Sequence, residues 1–252
     1  MRTLGLDIGS RTVKLVLMKD GEVIFTHKCL NSYDPLTTVK EALADLDYDV
    51  MLATGYGRGL AQKAFNVPTV TEIKAFATGA RHLEPRCRTI LDIGGQDTKA
   101  IALNEQGKVV KFEMNDRCAA GTGRFLEVMA KALGYEIEEF GQAALAGDET
   151  IHISSMCTVF AETEVISLLA RGEKRENIAR ALHLAIVKRA VAMLNRVGVQ
   201  KTLVFAGGVA HNPCMCFLLE RMLSIPVTLP YDPQLVGAYG AAILAKEGTN
   251  EG

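Results

Sequence analysis

The sequence predicts an α/β protein built from a duplicated unit, with two lobes closing on a cleft. Three observations carry that expectation. Leu6-Asp-Ile-Gly9 recurs as Leu91-Asp-Ile-Gly94, 85 residues later, and Lys14 and Lys99 keep the same offset. Each copy reads as an apolar strand, a glycine turn, a second strand, a glycine-containing hairpin and a third strand. Helical patterns follow each copy, and no short repeat period runs along the chain, which favours a duplicated domain over a solenoid.

In order, the first meander takes strands at 3–8, 13–18 and 22–28, with Asp20-Gly21 as its hairpin turn. Then follow a helix at 35–46, a strand at 50–54 and helices at 57–65 and 72–82. The second meander takes strands at 89–93, 99–103 and 109–113. Helices are expected at 120–133, 158–171 and 175–197, stopped by Gly134 and Gly172 in the first two cases. A strand at 202–206 runs into Gly207-Gly208 and a helix ending at 223. A short strand at 227–229 and a last helix at about 234–247 complete the chain, with a tail at 248–252 expected to fray. Glu84-Pro85 marks the first crossing, so lobe I is 1–85 plus the returning last helix, and lobe II is 86–233.

Bulk properties exclude several function classes. The 252 residues carry a formal net charge of -1, which argues against nucleic acid as the main partner. No run of about 18 apolar residues exists to span a membrane. Met1-Arg-Thr-Leu-Gly-Leu-Asp7 reaches a charge too early for a signal sequence, and a cytoplasmic protein is expected. Six cysteines in that setting suggest thiols or metal ligands rather than disulfides.

The loops Asp7-Ile-Gly-Ser-Arg-Thr12 and Asp92-Ile-Gly-Gly-Gln-Asp-Thr98 follow buried strands. Their glycines let backbone N–H groups approach an anion with no Cβ in the way. Asp7 and Asp92, one per loop, suit a hydrated Mg2+ bridging phosphates across a cleft. An ordinary hairpin would explain one such loop; two copies and a third glycine turn, Leu203-Val-Phe-Ala-Gly-Gly-Val-Ala210, weaken that explanation. Gly237-Ala-Tyr-Gly-Ala-Ala242 puts small residues along one helix, as a close contact at a hinge or a plain packing face would require.

These motifs in this order resemble the superfamily of actin, sugar kinases and chaperone ATPases. The resemblance implies the duplicated actin-like (ribonuclease H-like) ATPase fold, two lobes around a nucleotide cleft that takes Mg-ATP and releases ADP. It implies that Asp7 and Asp92 organise Mg2+ and that Gly9, Ser10, Arg11, Thr12, Gly94, Gly95, Gln96, Asp97 and Thr98 hold phosphates. Gly207, Gly208 and Val209 would line the adenosine.

Cys118 and Cys157 stand apart from the other cysteines, because each is read as directly preceding a helix, where the dipole and free N–H groups favour a thiolate or an anionic cluster. Small buried thiols are the plainer reading of both, since no C-x-x-C pair is present. Cys214-Met-Cys216 beside Pro213 fits a helix start as well as a donor pair. Cys29 and Cys87 show no partner pattern. The segments Asn115-Asp-Arg-Cys-Ala-Ala-Gly-Thr-Gly-Arg-Phe-Leu-Glu127 and Ser155-Met-Cys-Thr-Val-Phe-Ala-Glu-Thr-Glu-Val165 closely resemble the activators of 2-hydroxyacyl-CoA dehydratases, grouped with the ATPase subunits of benzoyl-CoA reductase. That resemblance implies a homodimer sharing one [4Fe-4S] cluster, held by Cys118 and Cys157 of each subunit. It implies ATP-driven, one-electron transfer from a ferredoxin or flavodoxin donor to an iron–sulfur acceptor, either a dehydratase or a double-cubane protein.

Gln96 and Glu162 are the candidates for orienting the attacking water, although Glu162 and Glu164 read equally as solvated helix residues. His211-Asn212 is expected to cap the next helix rather than bind metal. Two rival readings are a small-molecule kinase of the same fold and a nucleotide-gated scaffold without redox chemistry.

Overall fold

The computed structural model describes residues 1–154 and 157–248. Ser155 and Met156, which open the second cysteine motif, and the tail residues 249–252 lie outside the described residues.

Two sheets organise the chain. In the first, β1 (Arg2–Ile8) runs antiparallel to β2 (Thr12–Lys19) and parallel to β4 (Val50–Thr54), and β3 (Glu22–Leu30) forms the far edge, giving the order β3-β2-β1-β4. In the second, β5 (Thr89–Ile93) is flanked by antiparallel β6 (Thr98–Leu103) and parallel β8 (Leu203–Ala206). With β7 (Val109–Asn115) and β9 (Val227–Thr228) at the edges, the order is β7-β6-β5-β8-β9. The duplication therefore reaches past the meander, because β4 stands to β1 as β8 stands to β5. The β2–β3 turn has both Asp20 (φ 55°) and Gly21 (φ 99°) left-handed, the conformation a two-residue hairpin favours.

Side-chain alternation along the strands sets the layers. Leu4, Leu6 and Ile8 of β1 pack with Val39 of α1 (Pro35–Leu43) and Ala61 of α2 (Arg58–Phe65). The other face of β1 carries Gly5 and Asp7 and receives α9 (Val236–Glu247). In the second sheet, Leu91 and Ile93 join a large core with α4 (Gly123–Leu133), α5 (Ile137–Ala146), α6 (Thr158–Ala170), α7 (Arg175–Val197) and α8 (Pro213–Leu223). Ile90 and Asp92 point the other way, and Ile90 packs on α3 (Glu72–Leu83). The period of two thus puts both aspartates on the sheet faces that look into the layer filled by α3 and α9.

That layer is thin because its residues are small. A Cβ on Gly240 of α9 would sit 1.8 Å from the Ala75 carbonyl oxygen of α3, and one on Gly5 would sit 1.9 Å from that of Ala238. The small-residue stripe read from the sequence is therefore a close helix–helix and helix–sheet contact.

Three elements differ from expectation. α5 was not anticipated; Phe140 and Ala144 bury it in the large core. α1 ends at Leu43. The helix expected from 120 begins at Gly123, because Gly121 takes a left-handed φ of 89° and extended Thr122 serves as the N-cap.

Candidate nucleotide site

A cavity of about 860 Å3 opens between the two sheets, a volume in the range of small-molecule sites. Asp7, Gly9, Ser10, Arg11 and Thr12 line it from the first lobe, and Asp92, Gly94, Gly95, Gln96 and Asp97 from the second, with Gly207, Gly208 and Val209 beside them. Thr98 does not join them: it is buried, and its hydroxyl donates to the Gly121 carbonyl at 2.8 Å. Glu162 is exposed on α6 and is not a lining residue.

Each aspartate has a lysine partner seven residues on. Lys14 Nζ donates to Asp7 Oδ2 at 3.2 Å, and Lys99 Nζ to Asp92 Oδ2 at 3.0 Å. Lys99, 1% exposed, also bonds Asp97 and stands 3.8 Å from Glu72 Oε1. Burial pulls the Lys99 ammonium down, but the surrounding carboxylates of Asp92, Asp97 and Glu72 more than offset this and hold it above the usual lysine range. Burial pushes the Asp92 carboxyl up against the pull of Lys99. These lysines were not singled out as site residues, although a lysine inside an apolar strand, repeated at the offset of the aspartates, is the signal that marks them.

The strands after the meanders end alike. Gly55 (φ 91°) follows β4 and Gly207 (φ 86°) follows β8, and a Cβ on either would fall about 2.5 Å from the Oδ1 of its aspartate, 2.4 Å for Asp7 and 2.5 Å for Asp92. The left-handed turns clear these carboxylates, as only glycine does without strain. Beyond Gly55, Tyr56 and Arg58 line the cavity, and sequence reasoning missed both.

At the opposite end, α5 contributes Ile137, Glu138 and Gly141 to the wall. Asn212 lies next to them and is fixed from two sides. The Ala179 carbonyl can only accept, so His183 Nδ1 donates to it at 2.7 Å, which leaves His183 Nε2 to accept from Asn212 Nδ2 at 2.9 Å. Burial lowers His183 to about 4, keeping it neutral for that role. Asn212 Oδ1 in turn accepts from Met215 N at 3.1 Å and caps α8, the role expected of it.

Glu72, in the first turn of α3, is a partly buried acid lining the cavity. Burial raises it to about 7 against the pull of Lys99, with Asp97, Asp7 and Asp92 adding to the rise. Unfolded chain releases this proton near the ordinary 4.5, whereas folded protein keeps it to about 7, so stability falls as pH rises through that window. The total is at most about 3 kcal/mol. Glu72→Gln should flatten this slope relative to the parent in urea denaturation between pH about 5 and about 7.

Besides the Lys99–Glu72 pair, ion pairs near the surface also cross the cleft. Arg11 reaches over Gly95 to Glu127 of α4 at 3.2 Å, and Lys28 of β3 meets Asp232 at 2.9 Å.

Cys118 and Cys157 are the two exposed cysteines; Cys87 and Cys214 are buried, and Cys29 and Cys216 are partly so. Burial pushes the Cys87 and Cys216 thiols up to about 11 and raises Cys29 and Cys214 as well. Cys157 is the N-cap of α6, as expected. Cys118 is not at a helix start; it lies in the loop four residues before the Thr122 cap, for the backbone reason given above. α4 and α6 pack against each other, and α6 leaves Val159, Phe160 and Ile166 exposed beyond Cys157. Among the described residues no three His, Cys, Asp or Glu side chains gather as a metal site. No described helix is long and apolar enough to cross a membrane.

The activator of lactoyl-CoA dehydratase from Anaerotignum propionicum is 42% identical over 256 residues, covering 98% of both chains. The solved structure of (R)-2-hydroxyglutaryl-CoA dehydratase component A from Acidaminococcus fermentans superposes with a TM-score of 0.91 at 36% identity, covering 99% of each chain. The activator of 2-hydroxyisocaproyl-CoA dehydratase from Clostridium difficile, solved with bound ADPNP, gives 0.90 at 37% identity, covering 100% of this chain and 98% of that one. The two-sheet arrangement is accordingly the actin-like ATPase fold. With the family profile matching residues 4–245, the chain belongs to the BadF/BadG/BcrA/BcrD ATPase family.

Proposed function

We propose that this chain is a cytoplasmic, ATP-dependent activator that delivers low-potential electrons, one at a time, to an iron–sulfur partner such as a 2-hydroxyacyl-CoA dehydratase. The observation that carries the reading is the pairing of a duplicated aspartate–lysine cavity with two exposed thiols on loops leading into packed helices. In this reading ATP enters the cavity, with phosphates at 9–12 and 94–97 and adenosine at Gly207, Gly208 and Val209. Asp7 and Asp92 take Mg2+ through its water shell, since each already spends Oδ2 on a lysine. Gln96, at the cavity, orients the attacking water; Glu162 would need a rearrangement to reach it.

Cys118 and Cys157 of two copies would supply the four thiolates of one [4Fe-4S] cluster, which serves as a one-electron store. The exposed apolar residues of α6 suit burial against the second copy. A ferredoxin or flavodoxin is the donor in this scheme, and a double-cubane protein is the alternative acceptor. Lobes of 1–85 with the last helix, and of 86–233, are the bodies that nucleotide would move. Making an electron more reducing by about 200 mV requires about 5 kcal/mol of differential nucleotide binding between the two states.

Iron and acid-labile sulfide per dimer, measured on anaerobically purified parent and Cys118→Ala, test the reading. About four irons, lost in the variant, are expected. Iron-free parent protein would sink the redox reading and return the chain to a kinase or nucleotide-gated role.

A further inference from the structure

The loop that carries Cys118 is hydrogen-bonded to the second phosphate hairpin from both sides. Thr98 and Asn115 face each other in register on β6 and β7, at the cavity end of that hairpin. Thr98 Oγ1 donates to Gly121 O at 2.8 Å; Asn115 Nδ2 donates to Cys118 O at 2.8 Å and Ala120 O at 3.3 Å. In return, the first amides of α4 donate to the phosphate loop itself, Gly123 N to Gly94 O at 2.9 Å and Arg124 N to Gly95 O at 2.8 Å. Within the loop only a small side chain, Ala120, is a fully buried apolar group, and Thr122 bonds locally to Ala119. These bonds therefore locate the Cys118 backbone. Cys157 has no bond to either phosphate loop among the described residues.

We propose that Thr98 and Asn115 are positioning residues that make the second phosphate loop and the Cys118 loop move as one body, so that nucleotide occupancy sets the exposure of the Cys118 thiol. The proposal rests on the cavity being the ATP site. It explains why a threonine beside the cavity turns its hydroxyl away from it. A phosphate that shifts Gly94 and Gly95 shifts the start of α4 and, through Gly121 and Cys118, the thiol. The response is asymmetric: Cys118 follows the nucleotide and Cys157 does not follow by this route.

The test is alkylation of the full, metal-stripped chain by N-ethylmaleimide under anaerobic conditions. Peptide mass spectrometry reads Cys118 and Cys157 separately, with and without saturating Mg-adenylyl imidodiphosphate. In the parent and Thr98→Ser, nucleotide should change the Cys118 rate by about fivefold, the factor that one net hydrogen bond contributes, with Cys157 as the internal reference. In Thr98→Val and in Asn115→Leu, saturated with nucleotide as checked by titration, the ratio should fall well below the parent's, although the Gly123 and Arg124 amide bonds remain. A parent-like ratio in both variants overturns the proposal. Should Thr98→Val fail to fold, Asn115→Leu, altered at a half-buried strand end, decides alone. Parent protein that binds no nucleotide counts against the cavity reading, whereas parent protein that binds it with unchanged Cys118 labelling overturns this proposal alone.

Discussion

Replacing Lys99 with methionine is expected to lower the unfolding free energy by about 3–5 kcal/mol at neutral pH, measured by urea denaturation. The substitution keeps the volume of the side chain and removes its charge, leaving Asp92, 2% exposed, without its hydrogen-bonded cation in a site that already holds Asp97 and Glu72. An ion pair of this kind contributes little net stability against an apolar pair, but breaking it from one side strands a buried charge. Lys99→Met/Asp92→Leu should therefore recover most of the loss. The deficit of the single variant should also shrink on acidification, because Asp92, already raised by burial, then takes up a proton. Lys14→Met should cost less, since Lys14 is 13% exposed and meets one carboxylate. A deficit no larger for Lys99 than for Lys14 would refute the assignment of Lys99 as the buried charge centre.

Gly240→Ala is the second large effect, an expected loss of about 3 kcal/mol or more from one methyl group, at the upper end for overpacking. Its Cβ would enter the Ala75 carbonyl at 1.8 Å and approach Gly79 N at 2.8 Å, and backbone cannot swing aside as a side chain can. Gly59→Ala provides the opposite sign. Gly59 lies in α2 with no atom near its built Cβ, so alanine there should stabilise by about 0.5–1 kcal/mol. Thermal denaturation of both variants checks the pair. Equal effects would mean that the α3–α9 contact yields more readily than its geometry implies. Because α3 and α9 separate the two sheets, weaker nucleotide binding should accompany the Gly240 loss.

What was legible in the chain was local or repeated. Leu-Asp-Ile-Gly located both aspartates, and Asp20-Gly21 located a turn whose two positive φ angles need those residues. The helix α7, 175–197, read correctly end to end. What stayed hidden depends on contacts between distant segments. α5 carries Gly141 at mid-helix, a poor helix former, yet a Cβ there would meet Asn212 Oδ1 at 2.6 Å, a constraint visible only once α8 is beside it. Ala119-Ala120 reads as helix by propensity, and one left-handed glycine diverts it into the Cys118 loop. Glu72 opens the expected helix at 72–82, and only the fold brings Lys99 of the second sheet within 3.8 Å of it. The direction of the Thr98 hydroxyl likewise follows from where residue 121 comes to rest.

The paired triplets Asp7, Lys14, Gly55 and Asp92, Lys99, Gly207 give the floor of the cleft an approximate twofold symmetry. A nucleotide has no such symmetry, so the floor alone cannot decide which way round it lies. That choice must fall to the parts the halves do not share. On one side these are Tyr56 and Arg58, a long aromatic and a fixed cation; on the other they are α5, the 208–211 turn and the immobilised amide of Asn212. In the proposed reading the duplicated residues would hold the magnesium, and the unduplicated ones would set which way round the nucleotide lies.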